Sequence, residues 1–255
     1  MTEGKNLVKI YADSHIGCVR EENQDAYAAL AVHDGALAVV CDGMGGEAGG
    51  RIASGIAVEE FCRRFSSAFE SVIGEGEIDE FALHRVCGDA VYAANRAVFD
   101  RAVTVPTLQG MGTTLSVAYL VGNRLFVTNV GDSRVYLFHD GALTRISHDD
   151  SVVQQMIDAG QLTEQDAHKS ECRHLLTRAV GVAPYVEFGF FAQRVEKGDV
   201  VLLCSDGLTA HYTDKELQAC LAEISDLQKL VYNLIIGTCA RGGRDNVTVA
   251  CLRVE

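Results

Sequence analysis

The apolar positions fall into two spacings, and the switches between them predict the elements. Residues 7–12 alternate apolar and polar and predict a first strand. Residues 26–32 and 36–41 are apolar runs flanking His33-Asp34-Gly35, the sequence of a tight hairpin. From Arg51 onward Val58, Phe61, Phe65 and Phe69 recur at helical spacing, and beyond Gly74-Glu75-Gly76 so do Val86, Ala90, Ala93 and Ala97, which predicts two long amphipathic helices. After Pro106 strand patterns return at 113–121, 124–130, 134–138 and 142–146. Gly122-Asn123 and Asp140-Gly141 are turns between them, and the whole reads as an antiparallel meander.

Residues 147–181 are mostly polar, carry His148, Asp149, Asp150, His168 and His174, and show only a short helical signal at Val153, Met156 and Ile157. They are expected to form a surface excursion, or flap. Strands are predicted again at 186–192 and 199–204, and two helices follow, each opened by a capping box, Thr213 with Glu216 and Ser225 with Gln228. The second helix presents Leu227, Leu230, Val231, Leu234 and Ile235 on one face, and after a loop at 241–246 the last strand is expected at 247–252. Strands, a helix pair, strands, a second helix pair and a closing strand predict an α+β fold, an α-β-β-α four-layer sandwich of two antiparallel sheets flanked by helix pairs. One domain over 1–255 is expected, because only two prolines occur and no linker-like tract interrupts the chain.

Composition narrows the partners. A formal net charge of −13 without clustered Lys or Arg argues against nucleic acid and against an anionic membrane. Nine cysteines, with no Cys-x-x-Cys pair and several inside apolar runs, read as small buried hydrophobes in a reducing compartment, and zinc is not expected. The N-terminus lacks the layout of a signal peptide and no apolar run reaches membrane-spanning length, so a cytoplasmic protein is expected, with a monomer as the default.

The candidate chemistry lies in the aspartates. Asp34-Gly35 and Asp140-Gly141 have strands on both sides, and turn chemistry explains them. Asp42-Gly43 and Asp206-Gly207 follow apolar runs and are not followed by strands, Asp132 interrupts a strand-rich region, and Asp245 directly precedes the last strand. All four are expected at strand mouths. Singly, each is better read as a loop aspartate capping a backbone amide. Together they suggest a site for a hard cation, magnesium or manganese, with calcium left open but without a twelve-residue calcium loop. A nucleophile elbow, a P-loop and a dinucleotide fingerprint are absent.

The ordered set Arg20, Asn23-Gln24-Asp25, Val40-Cys41-Asp42-Gly43-Met44-Gly45-Gly46, Gly112-Thr113-Thr114, Val130-Gly131-Asp132-Ser133-Arg134, Ser205-Asp206-Gly207 and Asp245-Asn246-Val247-Thr248 resembles the metal-dependent protein phosphatases of type 2C, in their bacterial form. The resemblance implies a phosphoserine/phosphothreonine protein phosphatase with two Mn2+ or Mg2+ ions on a β-sandwich. It implies Asp42 as the bridging ligand, the Gly43 carbonyl in one shell, Asp206 and Asp245 on the other ion, Asp25 in the outer shell and Asp132 at a third ion. Arg20 would hold the substrate phosphate. The partners implied are phosphoproteins and an opposing Ser/Thr kinase.

Chemically, two cations can supply a bridging hydroxide for direct attack on phosphorus and neutralise the charge that develops, so no phosphoenzyme is needed. Arg20 suits a phosphate as a forked donor and equally suits a solvated surface beside Glu21 and Glu22. Two departures from the family pattern stand out. Met44 occupies the position of a histidine proposed as general acid in eukaryotic relatives, and the usual Asp-His-Ser reads Asp149-Asp150-Ser151, with His148 adjacent but more simply read as exposed polar surface. The alternatives are a catalytically silent, phosphoprotein-binding regulator of the same fold, or a phosphatase devoted to one partner-switching phosphoserine protein.

Overall fold

The computed structural model describes residues 8–72, 79–167 and 170–255; Gly74-Glu75-Gly76, His168 and the first residue of the predicted opening strand, Leu7, lie outside them. One antiparallel sheet is built, in order, from β1 (Val8–His15), β11 (Val247–Val254), β10 (Val200–Cys204), β7 (Arg134–His139) and β8 (Ala142–Arg145). The other runs β2 (Asp25–Val32), β3 (Gly35–Met44), β5 (Leu115–Val121), β6 (Arg124–Val130) and β9 (Gly189–Arg194), with the two-residue β4 (Gly112–Thr113) pairing the end of β3. Among the described residues no helix is long and apolar enough to cross a membrane.

Three apolar layers hold the four-layer stack together. Helices α1 (Gly46–Val72) and α2 (Glu80–Thr104) bury Phe61, Phe65, Phe69, Leu83 and Val91 against Leu37, Val39, Val117 and Tyr119. On the opposite side α6 (Asp214–Glu223) and α7 (Leu227–Ala240) bury Leu217, Leu221, Leu230 and Leu234 against Tyr136, Leu202 and Val249. Between the sheets Ala38, Val40, Ala118 and Val127 meet Val135, Val201, Leu203 and Ala250. Strand β3 thus sends Leu37, Val39 and Cys41 to the helices and Ala36, Ala38 and Val40 to the other sheet, which is why its sequence is unbroken apolar instead of alternating. The expected α+β sandwich is the fold observed.

The differences are local and each has a cause. The stretch from 113 to 146 is not one meander: β5 and β6 pair in one sheet and β7 and β8 in the other, so the chain changes sheets between Val130 and Arg134. Asp132 stands on that crossover. Strand β3 runs past Asp42 to Met44, with Asp42 opposite Asp25 and Gly43 opposite Thr113, so Asp42 lies inside a strand and not at its mouth. Gly43 is tolerated there because α1 passes so close that a Cβ would come within 2.1 Å of the Gly50 carbonyl oxygen.

The polar excursion contains α3 (Val152–Asp158) and α4 (Glu164–Ala167), and its base is buried, not superficial. There Asp149 pairs with Arg134 at 2.7 Å, and Asp150 accepts the Gly131 N–H at 3.1 Å and an Arg178 N–H at 2.7 Å, which satisfies the charges that burial would otherwise penalise. The Thr213–Glu216 capping box forms with both of its hydrogen bonds. The cap of α7 is not Ser225 but Asp226, whose carboxylate accepts the Lys229 N–H at 2.7 Å; the Ser225 carbonyl is bonded by Arg253. Of the cysteines, Cys41, Cys87, Cys204 and Cys251 are buried as expected, whereas Cys18 is exposed and Cys62, Cys172, Cys220 and Cys239 are half-buried.

Candidate active site

Five separate elements deliver their charged residues to one cavity of about 910 Å³. Asp42 comes from β3, Asp132 from the crossover after β6, Asp245 from the loop before β11 and Arg20 from the loop after β1. Asp206 opens α5 (Asp206–Thr209), a single turn directly after β10. Gly43 and Met44 line the same space, as do Glu21, Glu22, Thr114, Asn246 and, from the flap, His174 and Leu176.

Hydrogen bonds explain how the pieces are held. The Asp42 N–H donates to Thr114 Oγ1 at 2.8 Å, while Thr113 Oγ1 and the Thr114 N–H both donate to the Asp42 carbonyl at 2.9 Å, so the segment after β4 fixes the backbone on which Asp42 is mounted. Asn246 donates from Nδ2 to the carbonyls of Ile16 and Glu22 at 2.9 and 3.0 Å, and its Oδ1 accepts the Gln24 N–H at 2.8 Å. That one amide pins the Arg20 loop beside Asp245. Arg20 then uses both arms of its fork on Asp245, Nε to Oδ1 at 2.8 Å and Nη2 to Oδ2 at 2.7 Å.

Asp25 sits behind Asp42, and one of its oxygens, Oδ2, accepts from Ser205 Oγ at 2.8 Å and Thr248 Oγ1 at 2.7 Å. Its Oδ1 is buried with no hydrogen-bond partner. Burial, relieved by those two hydroxyls and reinforced by Asp206 and Asp245, pushes the Asp25 carboxyl up to about 7. Burial and then Asp206 and Asp149 push Asp132 to about 8, against the pull of Arg134. Asp42 is driven well above the carboxylate range by burial and by the charges of Asp25, Asp206, Asp132 and Asp245. Asp206 is raised by burial and Asp245, and is eased by a hydrogen bond with Asp42 and by His174 and Arg20.

The donor set suits a hard divalent cation: carboxylate oxygens, an orphaned buried carboxylate oxygen behind them, and mutual repulsion that positive charge would relieve. Among the described residues no three His, Cys, Asp or Glu side chains already stand as a ligand shell. Asp245 has both of its oxygens engaged by Arg20. The sequence-predicted residues Arg20, Asp42, Gly43, Asp132, Asp206 and Asp245 are therefore brought together, Asp25 stands directly behind them, and His148 is not among them, being exposed and 3.0 Å from Asp158. The supporting roles of Thr114 and Asn246 had no signal beyond their place in the motifs. His174 had none at all, since only the folding back of the flap brings it to the rim.

The description of protein phosphatase 2C matches residues 13–232 of this chain. The chain belongs to the protein phosphatase 2C family. This PP2C chain is 35% identical over 244 residues to the serine/threonine protein phosphatase PstP of Mycobacterium tuberculosis, a match covering 95% of the chain and 44% of PstP. It thus spans less than half the length of that relative. It superposes on the S. agalactiae serine/threonine phosphatase with a TM-score of 0.87 at 29% identity, covering 98% of this chain and 100% of the other. On the catalytic domain of PstP in complex with two manganese ions the TM-score is 0.81 at 34% identity, over 97% and 98% of the two chains. PP2C enzymes are metal-dependent Ser/Thr protein phosphatases, and the carboxylate-lined cavity fits that family.

Proposed function

We propose that this PP2C chain hydrolyses phosphoserine and phosphothreonine on proteins, as a single domain over 1–255 with 147–181 as a flap beside the site. Asp42, the Gly43 carbonyl, Asp206 and Asp245 would hold two Mn2+ or Mg2+ ions, Asp132 a third, and Asp25 would support the pair from behind. When bound, the ions supply the Lewis-acid charge that acidifies water and neutralises phosphate. One observation carries the reading: Glu21, Glu22, Asp42, Asp132, Asp206 and Asp245 share a cavity in which Arg20 is the one Arg or Lys among the lining residues. Ionised, those carboxylates repel a phosphate dianion, and bound cations would turn that repulsion into attraction.

The residues of the chain then divide the work. Arg20 presents a planar fork that matches two phosphate oxygens as well as it matches the Asp245 carboxylate. Releasing Asp245 to a cation and taking phosphate instead is one exchange that serves both groups. Asp25, bonded by Ser205 and Thr248, keeps the inner wall acidic without leaving its place. Thr114 and Thr113 hold the Asp42 backbone fixed while its carboxylate changes partner. The substrates are phosphoproteins made by an opposing Ser/Thr kinase, and the chain acts as a monomer.

Purified protein is expected to hydrolyse a phosphothreonine peptide with added manganese and to stop when a chelator is added. Turnover that survives chelation would reject the assignment. Manganese binding by calorimetry with no turnover on several phosphopeptides would favour the silent regulator instead. Arg20→Ala is expected to raise KM for the peptide by about 10- to 100-fold, the worth of a charged hydrogen-bond pair of roughly 1.5–3 kcal/mol, with a smaller loss in kcat. Arg20→Lys should not restore it, because an ammonium lacks the fork. An unchanged KM would remove Arg20 from the phosphate site.

A further inference from the structure

Two cysteines stand apart from the buried set and belong to segments that flank the active site. Cys18 lies in the loop after β1, two residues before Arg20, and Cys239 lies in the last turn of α7, ahead of the loop that carries Asp245. Cys18 is exposed and Cys239 half-buried. The Cys18 thiol donates to the Cys239 carbonyl at 3.6 Å, and the Cys18 N–H donates to the Gly243 carbonyl at 2.7 Å. Both residues crowd one side of Gly243, where an added Cβ would meet Cys18 Sγ at 3.0 Å and Cys239 Cα at 3.1 Å. Burial, then a hydrogen bond and charge interaction with the Cys18 thiol, raise the Cys239 thiol.

An imidazole stands beside the pair. His15 Nδ1 accepts the Gly17 N–H at 2.9 Å, which occupies the lone pair of that nitrogen. Cys239 Sγ lies 3.4 Å from the same nitrogen, so the imidazole fixes where that thiol sits. The remaining cysteines lack this combination of access, partner thiol and imidazole: burial pushes Cys62, Cys87 and Cys204 up to about 12 and holds Cys41 and Cys251 well above the thiol range.

We propose that Cys18 and Cys239 are a redox modification site, a dithiol that closes to a reversible disulfide and ties the Arg20 loop to the segment leading into Asp245. With a hydroperoxide as oxidant, the exposed Cys18 sulfur attacks the O–O bond, giving a sulfenic acid and releasing one molecule of water or alcohol. The Cys239 sulfur then attacks the Cys18 sulfur while its proton passes through solvent to the departing oxygen; the S–S bond forms, the S–O bond breaks, and the hydroxide leaves as water with that proton. The two sulfurs together lose two electrons and the peroxide gains them. A dithiol reductant reverses the step by thiol–disulfide exchange. This holds whichever substrate the cavity takes, since it rests only on the Arg20 loop and the end of α7.

Native protein should be treated with hydrogen peroxide, quenched with an alkylating agent in acid, digested without reductant and mapped by mass spectrometry. The expected result is one cross-linked peptide pair joining Cys18 to Cys239, lighter by two hydrogen atoms and absent from both Cys18→Ser and Cys239→Ser. Dithiothreitol should return it to the dithiol. The oxidised protein should also melt at a higher temperature than the reduced one, because the bridge closes most of the chain into a single loop. Three results would overturn the proposal: Cys18 over-oxidised to sulfinic acid while Cys239 remains a free thiol, a dominant bridge through Cys172, or cross-linking only between molecules.

Discussion

Replacing Asp42 with asparagine is expected to abolish turnover and, in the same protein, to raise the melting temperature of the metal-free state. The two effects have one source. Asp42 is the carboxylate on which the other aspartates of the site converge, since Asp25, Asp206, Asp132 and Asp245 all raise it. Asparagine preserves shape and the backbone bonds to Thr113 and Thr114, but removes from the middle of that cluster a carboxyl that folding forces to hold its proton against its ordinary titration. Without cations this removes a cost of folding, and about 1 kcal/mol of relief amounts to some 2–4 °C in a chain of this size. With cations the loss falls on the proposed bridging ligand, and several kcal/mol of transition-state stabilisation corresponds to a rate loss of roughly 10³-fold or more. Thermal melts with chelator and with manganese, run beside steady-state turnover on a phosphopeptide, give both readings. A variant that melts lower without metal, or that keeps the full manganese-induced shift, would show that Asp42 is not where the cation charge is needed.

The layer order of the fold was legible because each strand and helix states its own period. The strand expected at 124–130 is β6 residue for residue, and α7 carries its predicted apolar face inward. What local pattern could not express was which sheet a strand joins. Val130 to Arg134 reads as a turn between two more strands of a meander, yet the chain leaves one sheet for the other there, because Val127 and Val135 both face the layer between the sheets. The buried base of the flap was hidden for a related reason. Asp149 and Asp150 are polar in sequence and become buried only because Arg134, Arg178 and the Gly131 amide, remote along the chain, satisfy them. The aspartate set is legible because Asp132, Asp206 and Asp245 stand where strands end or begin, and Asp42 lies two residues from the end of β3. The Arg20–Asp245 pairing did not appear in the sequence, since two residues each assigned to a different ligand give no sign that they hold one another.

Metal-free protein is expected to lose stability as pH rises from about 5 to about 8, the reverse of what a protein with salt-bridged carboxylates shows. Unfolded aspartates titrate near about 3.9. In the folded chain Asp25 titrates at about 7 and Asp132 at about 8. Between those values the native state holds protons that the unfolded state has released, so stability falls with pH by up to about 1.4 kcal/mol per unit for each such group. The cost is absent below about pH 4 and complete above about pH 8. Saturating manganese should flatten or invert the slope, because cation binding requires the ionised carboxylates and therefore strengthens with pH. His139, raised by its hydrogen bond to Asp199, stabilises the fold while protonated and loses that contribution as pH rises, so it adds a slope of the same sign. Melting curves of the wild type, Asp132→Asn and His139→Gln under chelation separate the two sources. Asp132→Asn should remove much of the slope and His139→Gln only a minor part. A metal-free protein that gains stability between pH 5 and 8 would mean that the cavity carboxylates are ionised and satisfied within the chain itself, and cations would then have no electrostatic strain to relieve.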